Sequence, residues 1–188
     1  YLVTDKTSLQ AGLRYNKYIL KADFDTTFYP FPFTEAHIDN GSLTGSAGIV
    51  FRPTDKWVIG SNVATAFRSP NVDDVGKVFD SEPGSVVIPN PNLEAEYAYN
   101  VDLNVAKMFG KSVKVDVSTY YTLLDNALVR RDFTLNGASE IVYDGELSQV
   151  QAIQNAAKAN VYGIQAGVEV KLPTGFRFST DLNFQKGE

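Results

Sequence analysis

The sequence predicts an all-β protein, an antiparallel meander of about seven strands that forms part of a large transmembrane β-barrel. Three observations support this prediction. Apolar and polar residues alternate over seven stretches of the chain, as they do in strands with one apolar face. Short connections alternate with long ones that are rich in Gly, Pro, Asn and Asp. Aromatic residues lie at the ends of the alternating stretches, where a membrane interface would place them.

The composition excludes several classes of protein. The chain of 188 residues has a formal charge of −5 and no local run of Lys or Arg, so we predict no nucleic-acid partner. It contains no cysteine, which excludes disulfides and thiolate metal sites. No apolar run has the length of a transmembrane helix, and no leader-like segment opens the chain. The composition is compatible with a membrane β-barrel, because the strands of such a barrel are only weakly hydrophobic overall.

The alternating stretches follow each other along the whole chain. The first runs from Leu9 to Asn16, and the others cover residues 43–52, 57–68, 93–106, 112–129, 157–172 and 176–184. We expect each strand to pair with its sequence neighbours, with short turns at 53–56, 107–111 and 173–175 at one end. The other end then carries long loops at 17–42, 69–92 and 130–155. This asymmetry is typical of bacterial outer-membrane barrels, whereas most connections in compact soluble domains are short.

Alternation also predicts which residues share a face. One face should carry Tyr99, Val101, Leu103, Val115, Val117, Ile164 and Val168. The other should carry Asn100, Asp102, Asp116, Gln165 and Glu169. A slip of one residue would exchange the faces. In a barrel the apolar face meets lipid, but a soluble β-sandwich gives the same alternation. A carbohydrate-binding sandwich that uses Trp57 and the tyrosines as stacking platforms is therefore the alternative.

Three motifs lie on these strands in a fixed order. Phe67-Arg68-Ser69-Pro70 ends one strand, and Asn90-Pro91-Asn92-Leu93 with Glu96 opens the next. A third stretch runs from Asn155 to Gly163 and Gln165. The set resembles TonB-dependent outer-membrane receptors, in which Phe-Arg-x-Pro precedes a loop and Asn-Pro-x-Leu-x-x-Glu begins the next strand. The third motif resembles a strand start of that family, with Gln165 where Glu is usual.

The resemblance implies a transporter in the outer membrane of a Gram-negative cell. Residues 1–188 would be part of the receptor barrel, without its plug domain and without its closing C-terminal strand, because seven strands fall far short of 22. The implied partners are outer-membrane lipid, the receptor's own plug domain, the inner-membrane TonB complex and a scarce small ligand such as an iron chelate, haem or cobalamin. No resident cofactor is implied. A passive porin-like barrel is a further alternative.

The motif residues have a physical interpretation of their own. Pro70 cannot donate a ladder hydrogen bond, so it ends strand pairing. Asn90 and Pro91 form a rigid turn that sets the register of the following strand. Arg68 and Glu96 lie on the polar faces of adjacent strands and either pair with each other or are separately solvated, since exposed pairs are worth little.

The candidate ligand-binding residues are an aromatic run, a histidine and an arginine. Phe28, Tyr29, Phe31 and Phe33 lie in a Pro-rich loop and suit stacking on a flat ligand, unless they pack against neighbouring loops. Haem receptors of the family carry a histidine between the two boxes, but residues 71–89 contain none, so haem is disfavoured and His37 is expected to be solvated. Arg68 is the third candidate.

No catalytic or metal site is predicted. The loop 69–92 contains Asp73, Asp74, Asp80 and Glu82, which match no known calcium loop and are expected to be solvated. There is no cysteine, only one histidine and no phosphate-binding loop, so no enzyme is expected.

Overall fold

The strands form a single sheet of eleven strands with one short helix beside it. The structure, a computed structural model, describes residues 1–25, 27, 31, 33–76 and 79–188, with the backbone alone at 79–82. The helix α1 is Val72–Gly76. The strands are β1 Leu2–Thr4, β2 Thr7–Asp23, β3 Glu35–Phe51, β4 Trp57–Arg68, β5 Phe79–Glu82, β6 Ser85–Val87, β7 Glu96–Phe109, β8 Val113–Asp132, β9 Glu140–Tyr143, β10 Glu146–Lys171 and β11 Arg177–Gly187.

Seven long strands form the wall of the molecule, as the alternating pattern predicts. Strands β2, β3, β4, β7, β8, β10 and β11 lie side by side in sequence order, and every neighbouring pair among them is antiparallel. The predicted strand 57–68 coincides with β4, whereas β2, β3 and β10 extend well beyond their predicted ends. The four remaining strands are short and join the wall at its margins or in its loops.

The predicted assignment of residues to the two faces is confirmed by the strand registers. Leu103 lies opposite Thr119 of β8, which lies opposite Ile164 of β10. On the other face, Asp102 lies opposite Tyr120 and then Gly163. The remaining members of both predicted sets follow from the same registers, because each strand alternates without interruption over this stretch. We call the apolar side the outer face and the polar side the inner face.

The outer face is uncovered, which contradicts the sandwich alternative. All described strands belong to one sheet, so no second sheet packs against this face. Its apolar side chains are accordingly exposed, for example Leu103 at 48% and Leu182 at 73%. A soluble sandwich buries the face that these residues form.

The predicted loops 17–42 and 130–155 are wrong in their bounds, because both contain strand. Strand β2 continues to Asp23 and β3 begins at Glu35, so only residues 24–34 connect them. In the second region, β9 and the first part of β10 form a hairpin. Its turn, Asp144-Gly145, has φ angles of 49° and 83°, which suit a two-residue hairpin turn of type I′.

The extension of β2 and β3 keeps its alternation but reverses its polarity. Leu20, Ala36 and Ile38 lie on the inner face and are buried, with exposed fractions of 6%, 3% and 4%. The outer face carries charged residues instead, among them the ion pair Lys17–Asp39, whose hydrogen bond and charge raise the pKa of Lys17. Both strands were predicted to end too early, because apolar residues were expected on the outer face.

The segment 69–95 folds onto the inner face of this extension. Val75 of α1 and Leu93 pack with Leu20 and Ile38 in one apolar cluster. A second cluster joins Val86 and Ile88 to Leu135, Val150 and Ala152. These two clusters are the buried core of the described residues, and both lie in the long-loop half of the molecule.

One strand pair departs from the predicted antiparallel meander. Strand β6 pairs in parallel with β10, with Val86 opposite Val150. The wall leaves the first part of β10 with a free edge, and the loop strand β6 pairs with that edge. Among the described residues, no helix is long and apolar enough to cross a membrane.

Candidate functional site

Five motif and loop residues tie the segment 69–95 to the wall, and we call this set the loop clamp. It consists of Arg68, Asp74, Asn90, Glu96 and Asn155. Arg68 ends β4 and Glu96 begins β7, whereas Asp74 and Asn90 lie in the segment itself and Asn155 lies in β10.

Arg68 is the centre of the charged half of the clamp. Its Nη2 lies 2.6 Å from Asp74 Oδ2, and its Nη1 lies 3.3 Å from Glu96 Oε1. The second oxygen of Glu96 accepts a hydrogen bond from the Leu128 amide at 2.9 Å. Burial lowers the pKa of Arg68, but the hydrogen bonds and charges of Asp74 and Glu96 outweigh it and raise that pKa above its ordinary value. Arg68 therefore stays charged and joins β4, α1 and β7.

Asp74 was expected to be solvated, but the structure places it in the clamp. Its backbone amide donates to Asn71 Oδ1 at 2.9 Å, and its Oδ2 accepts from the Asn71 amide at 3.0 Å. This reciprocal pair caps the first turn of α1 in the manner of a capping box. The Asn71-x-x-Asp74 spacing before an apolar residue was the signal that would have found it.

The two asparagines form the neutral half of the clamp. Asn90 donates from Nδ2 to the Ile153 carbonyl at 2.8 Å, and its own amide donates to the Val75 carbonyl at 3.1 Å. Asn155 accepts from the Glu94 amide at 2.8 Å and donates to the carbonyls of Glu94 and Asn126 at 2.9 and 3.0 Å. These bonds fix the entry of β7 against β8 and β10. The clamp is thus built to position a loop, and it contains no group arranged for proton transfer.

Of the aromatic run, Phe31 and Phe33 lie in described positions and pack within the loops. Their rings stack at a centroid distance of 5.5 Å, and Phe33 meets the edge of Phe24 at 5.3 Å. Phe31 packs against the second cluster and Phe24 against the first. This arrangement matches the alternative in which the loop packs its own rings. Phe28 and Tyr29 lie outside the described residues.

His37 is separated from the other candidates. It lies opposite Lys21 on the outer face of the β2–β3 extension, and it is exposed. Its chain neighbours Ala36 and Ile38 point to the inner face, where the segment 69–95 packs. The structure therefore places His37 on the side of the wall opposite that segment.

The inner face carries a second polar arrangement, around Asp102. Its carboxylate accepts hydrogen bonds from the side-chain amides of Asn104 at 2.7 Å, Asn100 at 3.2 Å and Asn62 at 3.4 Å. Gly48 and Gly60 line the same shallow groove, whose volume is about 250 Å³. No cation pairs with this carboxylate within the described part of the chain.

Comparison with known proteins agrees with this architecture. The family model for "TonB dependent receptor-like, beta-barrel" matches residues 1–187. The chain belongs to this family. Among the described residues, no group of three or more His, Cys, Asp or Glu side chains is arranged to hold a metal ion.

A curated relative and two solved structures illustrate the range of similar receptor barrels. A hemoglobin and hemoglobin-haptoglobin-binding protein of Haemophilus ducreyi is 28% identical over 155 residues, which are 76% of this chain and 15% of that protein. The siderophore receptor PirA of Pseudomonas aeruginosa superimposes with a TM-score of 0.73 at 18% identity, covering 98% of this chain and 32% of PirA. The FrpB iron transporter of Neisseria meningitidis gives 0.66 at 18% identity, covering 98% and 24%.

These comparisons place the chain as one portion of a larger receptor barrel. It spans 15% of the curated relative and about a quarter to a third of the two structures. The motif residues of this receptor barrel, Phe67 to Pro70 and Asn90 to Glu96, are the residues that flank and anchor the segment 69–95. Phe67 itself packs on Tyr97 with a ring distance of 6.3 Å on the outer face.

Proposed function

We propose that the chain is a wall and extracellular-loop segment of an outer-membrane receptor for the energised uptake of a scarce ligand such as an iron chelate. The outer face supplies the observation that carries this proposal. On β8 its residues from Val113 to Leu123 form an uncharged stretch of eleven positions, and on β7 the uncharged stretch covers the nine positions from Tyr97 to Val105. A tilted strand that crosses a bilayer needs about 9–11 residues.

The reversed polarity above this band supports the same assignment. Where the band ends, the outer face becomes charged and the inner face becomes apolar, as is expected where lipid gives way to water outside and to packed loops inside. In this proposal the short turns are periplasmic and the long loops are extracellular. The protein is then located in the outer membrane of a Gram-negative cell.

A pair of lysine substitutions in the full-length receptor tests the membrane position of the wall. Leu103 lies in the middle of the band, and Ile19 lies on the same face of the extension; both are exposed, at 48% and 58%. Leu103→Lys should cost about 2–4 kcal/mol when the receptor folds into vesicles, whereas Ile19→Lys should cost about 0–1 kcal/mol. Equal costs in a folding titration would contradict the membrane assignment.

In this proposal the polar inner face contacts the plug domain of the receptor. The inner-membrane TonB complex supplies the energy for uptake. Polar residues such as Asn62, Asn104 and Gln165 suit a wet lumen or a polar partner. A passive porin-like barrel would have the same wall. Uptake that stops when the proton-motive force is collapsed supports the receptor, and uptake that continues supports the porin.

In this proposal the ligand binds at the loop end of the wall, and it is an iron chelate. In this proposal Phe28 and Tyr29 contact the ligand, and His37 is a peripheral candidate. Arg68 acts by positioning the loop. Replacing Phe28 and Tyr29 by alanine in the full-length receptor should weaken binding of a ferric siderophore. Phe31→Ala is the control, because it removes a ring from a buried cluster and should lower stability itself. Unchanged siderophore affinity in the double variant would remove these residues from the site.

A further inference from the structure

The short-turn end of the wall carries a group of basic residues that the receptor assignment does not explain. We call this group the basic edge, and its members are Lys6, Arg52, Lys56, Lys107 and Lys111. These residues come from three turns, at residues 5–6, 52–56 and 107–112, which contain only two acidic residues, Asp5 and Asp55, although the chain as a whole has a charge of −5. The acidic excess therefore lies elsewhere in the chain, and this edge is locally positive.

Backbone hydrogen bonds hold the three turns side by side. The Arg52 amide donates to the Lys6 carbonyl at 2.7 Å, and the Met108 amide donates to the Lys56 carbonyl at 2.8 Å. Lys107 lies directly opposite Trp57 in the β4–β7 register. The five cations are consequently neighbours along one margin of the sheet.

These cations are also left without carboxylate partners. Within the described part of the chain, no member of the basic edge forms an ion pair, whereas Lys114, Lys171 and Arg177 nearby are each paired with a carboxylate. Neighbouring cations repel one another, and an anion placed among them lowers their electrostatic energy.

Lys107 shows on which side that anion would lie. It is on the outer face, in register with Val115, and its Nζ lies 4.4 Å from the centroid of the Trp57 ring and 4.6 Å from that of Phe109. Tryptophan and other aromatic rings of a barrel wall mark the level of the lipid headgroups. A lysine at this level lays its stem along apolar surface and keeps its ammonium group among the headgroups.

We propose that the basic edge, with Lys107 between Trp57 and Phe109 at its centre, binds the phosphate headgroups of anionic phospholipids on the short-turn side of the membrane. This proposal rests on the membrane position proposed above. Each Lys or Arg near the membrane surface attracts anionic lipid strongly enough to raise the local concentration of that lipid by about fivefold. The edge thus selects phosphatidylglycerol-like lipid over zwitterionic lipid at one rim of the barrel.

Quenching of Trp57 by brominated lipid tests the proposal, since Trp57 is the single tryptophan of this chain. The full-length receptor, with its other tryptophans replaced by phenylalanine, is reconstituted in phosphatidylcholine vesicles that contain either dibrominated phosphatidylglycerol or dibrominated phosphatidylcholine. Phosphatidylglycerol should quench more strongly at equal content. Lys107→Gln should reduce this preference by about fivefold, and Lys107→Arg should retain it.

Lys21→Gln is the matched control, because Lys21 is an exposed outer-face lysine at the opposite end of the wall. It should leave the preference unchanged. Equal quenching by both lipids, or a loss in Lys21→Gln as large as in Lys107→Gln, would overturn the proposal. Absence of quenching by both lipids would instead show that Trp57 is not in the membrane, which contradicts the membrane position itself.

Soluble phosphate distinguishes a lipid site from a general phosphate site. At constant ionic strength, added inorganic phosphate should leave the preference for phosphatidylglycerol unchanged. If it removes the preference, the edge is a phosphate site and the assignment to lipid is wrong.

Discussion

Asn155 offers the sharpest test of the loop clamp, because one neutral side chain joins β10 and β8 to the segment that enters β7. Its carboxamide makes three hydrogen bonds, to the amide and carbonyl of Glu94 and to the carbonyl of Asn126. Asn126 has a φ of 57°, so the β8 backbone is locally turned toward this contact. Replacing Asn155 by alanine removes all three bonds and leaves the backbone that enters β7 without its anchor.

The size of the effect follows from the exposure of the site. A hydrogen bond contributes about 0.5–1.5 kcal/mol, and partly exposed backbone groups recover some of this from water. Three such bonds at about 0.7 kcal/mol each, in the lower half of that range, amount to about 2 kcal/mol for local opening. The population of the open loop should therefore rise about thirtyfold.

Hydrogen exchange of the Glu94 amide in the full-length receptor measures this opening. In Asn155→Ala the exchange should accelerate by about thirtyfold, while amides in the middle of β8 keep their protection. Asn183→Ala is the control, because Asn183 lies exposed on β11 and makes no side-chain hydrogen bond among the described residues. Unchanged exchange at Glu94, or equal acceleration in the control, would refute the clamp.

Two further predictions concern packing and pH. An added Cβ at Gly163 would lie 2.6 Å from the Phe184 carbonyl and 2.7 Å from the Tyr120 hydroxyl, so Gly163→Ala should cost about 1–3 kcal/mol in chemical denaturation. Gly12→Ala meets nothing closer than 3.9 Å and should change stability by less than about 1 kcal/mol; similar costs for the two would contradict the argument. Hydrogen bonds from the Thr27 hydroxyl and amide lower the pKa of Asp25. Their stabilising effect is therefore present above the ordinary carboxyl pKa of about 4 and is lost as the pH falls through the lowered value. The protection of the Thr27 amide, measured as its exchange rate relative to the intrinsic rate at each pH, should therefore fall in acid, but not in Asp25→Asn.

The wall was predictable because its strands obey a single rule over most of their length. Successive residues from Val113 to Leu123 alternate between the outer and the inner face, so the period and the face could be assigned without a partner strand. The extensions keep the same period with the opposite phase, because their apolar residues lie on the inner face. Apolar residues such as Leu20 and Ile38 are explained on the inner face only by the segment 69–95, which packs against them.

The hairpin of β9 and β10 was present in the sequence but was not recognised. Asp144-Gly145 is a strong signal for a two-residue turn, and it is flanked by Ile141 and Val142 on one side and Leu147 on the other. Residues 130–155 were predicted to be a long loop from their Gly and Asp content, whereas the positions of these residues indicate a hairpin.

The clamp was predictable only in part. The pairing of Arg68 with Glu96 was one of two alternatives, and the direct register of these two residues in β4 and β7 decides it. The contacts of Asn155 were not predictable, since they join residues 61 positions apart across an irregular stretch of the β8–β10 register. No local pattern encodes such a contact.

The two polarities of the wall coexist without any break in the backbone. The register of β2 and β3 is continuous from Thr7 opposite Phe51 to Asp23 opposite Glu35, and it contains no bulge. The outer face changes from apolar to charged between Tyr15 and Lys17 on β2. Only the side chains change at this level, and the backbone pairing does not. Hydrogen bonding keeps the strands rigid on both sides of this level, because every ladder bond is retained. One pair of strands thus carries an apolar outer face along the wall and an apolar inner face in its extension, and the segment 69–95 packs on that inner face.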